Sequence, residues 1–187
     1  IVRLFKDGQE FRMSKRKGNF VLMEDLLDQV SVDAARYFFL TRGLDAHMDF
    51  DLDLANLKSS DNPVFYVQYA HARICSILRQ AEEQGHKVLP AGEVDLALLC
   101  DETEIDLLKK LADFPEEIIG AADAREAHRI TRYLNDLATV FHSFYTRCRV
   151  VTDDQPLTRS RLVLVDATRV VLRNALTILG VSAPERM

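Results

Sequence analysis

The densest grouping of chemically capable side chains stands near the start, at Phe11-Arg12-Met13-Ser14-Lys15-Arg16-Lys17-Gly18-Asn19. Four cations surround a serine and a glycine. Gly18 permits tight loop backbone, Ser14 offers a hydroxyl beside free amides, and the lysines bring mobile positive charge. A loop that closes over a polyphosphate needs these properties. An ordinary basic surface loop has the same composition, so the residues alone leave both readings open. A second grouping sits on a helix. Asn62 followed by Pro63 is a start signal, a capping side chain and then proline in the first turn, and a helix is predicted from 63 to about 84, stopped by Gly85. At about 100° per residue, Val67, His71, Ile74 and Leu78 share one side of it. Tyr66, Tyr69 and Arg73, spaced i, i+3, i+7, share the opposite side. Two tyrosines and an arginine facing outward either pack on another helix or form a stacking platform with a cation beside it, suited to unpaired bases.

Other chemistries find less support. The histidines are His47, His71, His86, His128 and His142, and none sits in a His-Glu-x-x-His run. His71 lies on the apolar side of its helix and reads as a packing histidine. The acidic alternation Asp49-Phe50-Asp51-Leu52-Asp53 lacks the glycine and terminal glutamate of a calcium loop, and helix capping and loop solvation explain it better. No metal site is expected. No nucleophile elbow and no phosphate-binding P-loop occur, so no complete active site is visible.

The elements that must position these groups are mostly helical. Residues 1–22 read as a short β segment around a loop, with Asp7-Gly8 as a turn pair. Helices are predicted at 24–29 and from 31 or 32 to 40. The acidic alternation then leads into a short helix ending near 59. Residues 85–92 form a loop. Further helices are predicted at 103–112, from Pro115, and from about 121 to 150, the last with an apolar stripe of Ile130, Leu134, Leu137, Phe141, Phe144 and Cys148. A polar break at 152–156 precedes a final helix at 158–179, closed by Gly180. Its apolar face holds Val165, Leu172, Leu176 and Leu179 and extends to Val171 and Ile178, and Asp166, Arg169 and Arg173 make an ion-pair ladder. The fold class is mostly α: a helical bundle preceded by a short β and loop tail.

Composition sets the outer limits. The 187 residues are 48% hydrophobic and 28% charged, enough apolar material for one large domain or one domain with an appendage. Seven glycines and five prolines are few for an all-β protein. Cys75, Cys100 and Cys148 lie far apart with no Cys-x-x-Cys pair, against both a structural zinc site and a disulfide framework, and point to an intracellular protein. No apolar run nears the roughly 18–20 residues that cross a bilayer, and no secretory leader is seen. The first residue, Ile1, already reads as part of a strand, which suggests a piece of a longer protein. Net charge is −5, but residues 1–20 hold six basic against two acidic side chains (+4), residues 21–120 eight against twenty (−12), and residues 121–187 ten against seven (+3). Two basic ends flank an acidic middle, which keeps a phosphate-bearing partner open because such binding depends on a local patch.

A resemblance runs through these landmarks. Arg12-Met13-Ser14-Lys15-Arg16 resembles the Lys-Met-Ser-Lys-Ser loop of class I aminoacyl-tRNA synthetases, with Arg12 and Arg16 departing from the pattern and Lys15 retained. Asp33-Ala34-Ala35-Arg36 resembles the Asp-Ala-Leu-Arg (DALR) type element downstream of that loop. Residues 62–73, Phe141-His142-Ser143-Phe144-Tyr145 and the terminal Pro184-Glu185-Arg186-Met187 are similar to the anticodon-binding region of bacterial arginyl-tRNA synthetases. The resemblance covers essentially the whole chain and keeps the family's order.

It implies two units: residues 1–50 as the tail of a catalytic domain with its loop and connecting helices, and residues 51–187 as a helical DALR-type anticodon-binding domain. The implied parent enzyme activates arginine with ATP and Mg2+ and attaches it to tRNA-Arg in the cytoplasm, with no membrane or DNA partner. By the same resemblance Lys15 stabilises the ATP phosphates with Ser14 and Arg12 beside it. Arg16 and Lys17 either add to that charge or contact the tRNA backbone. Tyr66, Tyr69, Arg73, Tyr145 and Met187 match positions that meet the anticodon loop. The catalytic nucleotide-binding domain would lie upstream, so the isolated chain is expected to hold no bound cofactor and to be inactive. A helical scaffold domain and a general RNA-binding module are the competing readings. The acidic middle favours the first mildly, and the basic loop placed before the helices argues against the second.

Overall fold

A computed structural model describes residues 2–11 and 22–187. The loop bearing Arg12, Ser14, Lys15, Arg16 and Lys17 lies outside the described residues. Strands β1 (Val2–Lys6) and β2 (Gln9–Phe11) pair antiparallel, Lys6 opposite Gln9, around Asp7-Gly8. Both turn residues take positive φ, 53° and 71°, as the tight hairpin turn requires. Helices α1 (Met23–Leu27) and α2 (Val32–Leu40) follow, and then β3 (Met48–Asp51) returns parallel to β1, Val2 opposite Met48, giving the order β2-β1-β3.

β3 was not expected. Met48 and Phe50 point into the core, while the three aspartates do separate local work. Asp49 takes a two-pronged ion pair from Arg3 at 2.7 Å. Asp51 caps α3 (Leu52–Asn56) by accepting from Asp53 N at 2.9 Å and Leu54 N at 3.0 Å, and Asp53 accepts from the backbone N–H of Asp7. The acidic run is therefore strand edge, cap and turn support. α3 ends at Asn56, short of the expected 59.

The bundle is built from α4 (Pro63–Glu83), α5 (Glu102–Ala112), α6 (Phe114–Ala124), α7 (His128–Arg147) and α8 (Gln155–Ile178). α4 begins as expected, with Asn62 Oδ1 accepting from Val64 N at 3.2 Å while its amide donates to Leu57 O at 2.9 Å. The boundary expected near 121 falls later: α6 runs to Ala124, Arg125 takes the left-handed conformation (φ 56°) that glycine usually fills, and α7 starts at His128 and ends at Arg147, short of the expected 150. α8 starts at Gln155, not at Thr158, because Asp154 caps it and Pro156 belongs to the first turn, not to a break.

One core runs through both parts of the chain. Val67 and Ile74 of α4, Leu134, Leu137, Phe141 and Phe144 of α7, and Leu172 and Leu176 of α8 are sealed from solvent, together with Ala34, Ala35 and Tyr37 of α2. Ile178, expected on the apolar face of α8, is 54% exposed. Two polar networks cross the core. Tyr37, fully buried, donates to Thr131 O at 3.1 Å and accepts from Asn135 Nδ2 at 2.9 Å, which ties α2 to α7. Glu104 of α5 accepts from Arg161 Nε of α8 at 2.6 Å, with the Glu104 side chain 1% exposed. Among the described residues no helix is long and apolar enough to cross a membrane.

Candidate nucleic-acid interface

α4 and α7 lie side by side, and helical phase sends Tyr66, Tyr69 and Arg73 to their shared outer edge, where His142 and Tyr145 arrive from α7. The Arg73 guanidinium sits over two rings at once, 5.5 Å from the Tyr69 centroid and 5.1 Å from that of Tyr145. His142 packs between the other rings, 5.0 Å from Tyr66 and 6.1 Å from Tyr69. Phe65 lies nearly parallel to Tyr69, 6.2 Å away with 9° between planes. The result is a continuous aromatic surface with one cation set into it.

The exposure of these groups is graded. Tyr69 is 37% exposed and Met187 55%, and Arg73 is also exposed. Tyr66 is half-buried, packs on the core, and donates to Thr139 Oγ1 at 3.3 Å. The competing reading, helix packing, thus applies in part to Tyr66 and much less to Tyr69.

Two cavities flank Tyr69. One, of about 360 Å³, is walled by Ser60, Phe65, Tyr66, Tyr69 and His142 and is mostly apolar. The other, of about 420 Å³, is bounded by Tyr69, Arg73, Arg79, Glu185, Arg186 and Met187 among others. Three guanidiniums against one carboxylate make the second cavity electropositive. Aromatic faces beside clustered arginines are the combination that unpaired bases and their phosphates require.

His142 was not singled out as a site residue. Its Nε2 is buried without a hydrogen-bond partner, and burial, with Arg73 nearby, pushes its pKa below the ordinary histidine value. Burial and the neighbouring cation thus disfavour the charged ring, which offers a flat surface. Arg79 and Arg186 were also missed. Arg186 stands inside the terminal motif, but its approach to Arg73 depends on how the tail folds back. His71 is the packing histidine expected: it is 1% exposed and its Nδ1 lies 2.9 Å from Pro184 O, so that nitrogen carries the proton and donates. Among the described residues no cluster of three or more His, Cys, Asp or Glu is arranged to hold a metal.

The structure thus brings Tyr66, Tyr69, Arg73, Tyr145 and Met187 onto one face, while Arg12, Ser14 and Lys15 fall outside the described residues. Residues 67–187 match the family of the DALR anticodon binding domain. The whole chain is 80% identical, over 187 residues, to an arginine–tRNA ligase of Symbiobacterium thermophilum, of which it spans 34%. In shape it is similar to a Campylobacter jejuni protein assigned as an arginyl-tRNA synthetase, with a TM-score of 0.87 and 33% identity over all of this chain and 40% of that one. It is also similar to the Thermus thermophilus arginyl-tRNA synthetase, with a TM-score of 0.71 and 30% identity over 92% of this chain and 29% of that one. The chain spans about a third of the length of the curated relatives it matches.

Proposed function

The chain belongs to the DALR anticodon-binding domain family, and from that membership we propose that it is the anticodon-reading part of a cytoplasmic arginine–tRNA ligase. Residues 51–187 hold the anticodon stem-loop of tRNA-Arg, and residues 1–50 are the end of the catalytic domain. The observation that carries the reading is the α4–α7 face, where Arg73 covers the rings of Tyr69 and Tyr145 beside an electropositive cavity closed by Met187.

The chemistry assigned to the full ligase follows in two steps. A carboxylate oxygen of arginine attacks the α-phosphorus of ATP, the bond to the bridging oxygen breaks, and pyrophosphate leaves; Mg2+ accompanying the nucleotide would offset the charge on those phosphates. The tRNA then takes the arginyl group and AMP departs. Lys15, with Ser14 and Arg12 beside it, stabilises the charge on the leaving phosphates by position and electrostatics and moves no proton. At the other end, Tyr66, Tyr69 and Tyr145 offer ring faces to unstacked bases, Arg73 pairs with a phosphate or stacks on a base, and Met187 adds an apolar wall beside Tyr69 and Arg73.

The test is binding of an arginine-tRNA anticodon stem-loop to the 187-residue chain, beside a stem-loop of the same stem with a different anticodon. Tighter binding of the arginine stem-loop, falling with salt, is expected. Equal affinity for both loops would leave only a general RNA-binding module, and no binding to either would remove the RNA reading altogether.

A further inference from the structure

After α8 the chain reverses at Gly180 (φ 67°), where a Cβ would stand 2.7 Å from Arg36 Nη1, and residues 181–187 run back along α4. This tail has no helix or strand of its own. A stretch of this kind stays in place only where side chains tie it down. The ties are identifiable. Asp33, in the first turn of α2, accepts from the backbone N–H of Ser182 at 3.1 Å through Oδ1, and from the Ser182 hydroxyl through Oδ2. Gln68 of α4 bridges the two partners, donating to Asp33 Oδ2 at 2.8 Å and to Ser182 O at 3.0 Å. His71 then holds Pro184 O, and Arg79 reaches Glu185 O at 3.3 Å. Beyond these contacts the chain delivers Arg186 and Met187 into the cavity that holds Tyr69 and Arg73.

We propose that Asp33 is a positioning residue for the RNA site: its carboxylate, shared between Ser182 and Gln68, fixes the tail so that Arg186 and Met187 stand against Tyr69 and Arg73. Asp33 touches no RNA in this reading. It stands in the DALR-type element at residues 33–36, ahead of the matched span 67–187, and acts across a sequence separation of 149 residues. A carboxylate is suited to the task because one group accepts from a backbone N–H, a hydroxyl and an amide together, and hydrogen bonds to an ionised acceptor are stronger than neutral ones. The clamp couples a helix that follows the Arg12–Arg16 segment to the far wall of the candidate interface. The consequence for RNA affinity rests on the function proposed above; the mechanical role of Asp33 does not.

The experiment uses the 187-residue chain, with Asp33→Ala as the main variant and Ser182→Ala, at an exposed position, as a second that disturbs folding less. Hydrogen exchange is followed first without RNA. The Ser182 amide, which donates to Asp33, is expected to exchange faster in both variants, while protection in α7 and α8 is unchanged. Unchanged exchange at Ser182 overturns the clamp. Binding of the arginine-tRNA anticodon stem-loop is measured next and is expected to weaken about tenfold in Asp33→Ala. The same substitution is then made in a chain lacking residues 186 and 187, where it should weaken binding no further, because its effect passes through the tail. An equal loss in the shortened chain means that Asp33 acts on RNA or on the fold by another route, and the positioning role falls. If the unaltered chain binds no stem-loop, the proposed function fails instead, and the exchange experiment still decides whether Asp33 holds the tail.

Discussion

Replacing Tyr69 by alanine should weaken RNA binding while leaving the fold nearly intact. The ring is 37% exposed, and it touches the half-buried rings of Phe65 at 6.2 Å and His142 at 6.1 Å and the exposed Arg73 guanidinium at 5.5 Å. An exposed cation–π contact contributes roughly 0.5–1 kcal/mol, so the loss of stability should stay near about 1 kcal/mol. Tyr133 marks the opposite case. It is 2% exposed, with its hydroxyl donating to Lys110 O at 2.8 Å, and truncation of a buried aromatic costs about 3–5 kcal/mol. For RNA the expectation reverses. One base stacked on Tyr69 is worth roughly 1–3 kcal/mol, a loss of about 5- to 150-fold in affinity. Fluorescence anisotropy of a labelled arginine-tRNA anticodon stem-loop and the thermal midpoint, measured on the same preparations, give both quantities. The salt dependence adds a third. Tyr69→Ala should keep the slope of the unaltered chain, whereas Arg73→Ala should reduce it by about one if Arg73 meets a phosphate. A large fall in midpoint with unchanged binding would place Tyr69 in the core and refute the platform.

Three further outcomes are expected. In the intact ligase, Lys15→Ala should slow arginine-dependent pyrophosphate exchange by about 2.7–4 kcal/mol of barrier, the usual cost of one preorganised charge contact, with tRNA affinity little changed; an unaltered exchange rate removes Lys15 from the chemistry. Glu104→Ala should destabilise the chain by about 3–5 kcal/mol in urea unfolding, because it strands Arg161 where the pair is almost fully buried, and a cost below 1 kcal/mol would mean that Arg161 finds solvent. The chain should lose stability on mild acidification. Burial lowers the pKa of both His71 and His142 in the folded state, so between the folded pKa and the unfolded value of about 6.5 the unfolded chain binds more protons and stability rises with pH. The contribution is intact above about pH 6.5 and disappears as pH falls through the folded pKa; thermal midpoints from pH 7.5 downward, flatter in His142→Phe, report it.

Legibility from sequence varied with the physical signal. The α4 start at Asn62 and Pro63 and the buried stripe from Ile130 to Phe144 were readable because capping chemistry and helical period act within a few residues. β3 was not. An alternation of aspartate with phenylalanine and leucine suits a cap as well as a strand, and only the pairing of Met48 with Val2, far apart in sequence, decides for the strand. The α6–α7 break was expected near 121 and not at 125–127, because arginine occupies the left-handed position with no glycine to announce it. At the candidate interface, Tyr66, Tyr69 and Arg73 were grouped by phase alone, whereas Tyr145 and Met187 came from resemblance. The packing of His142 between the tyrosines required the α4–α7 contact, and the path of the tail required Asp33, neither of which has a local signature.

The Tyr37 network has a mechanical consequence. A linker that only joined two bodies would let them swivel, but the hydroxyl of Tyr37 is fastened inside the bundle to Thr131 and Asn135, and its ring is sealed in the common core. α2 is thus bolted to the same helix that presents His142 and Tyr145. Any tilt of α7 must carry α2 along or shear buried hydrogen bonds, so the joint works as a stiff bracket and not as a hinge. Torque applied at the aromatic edge would reach α2 with little slack.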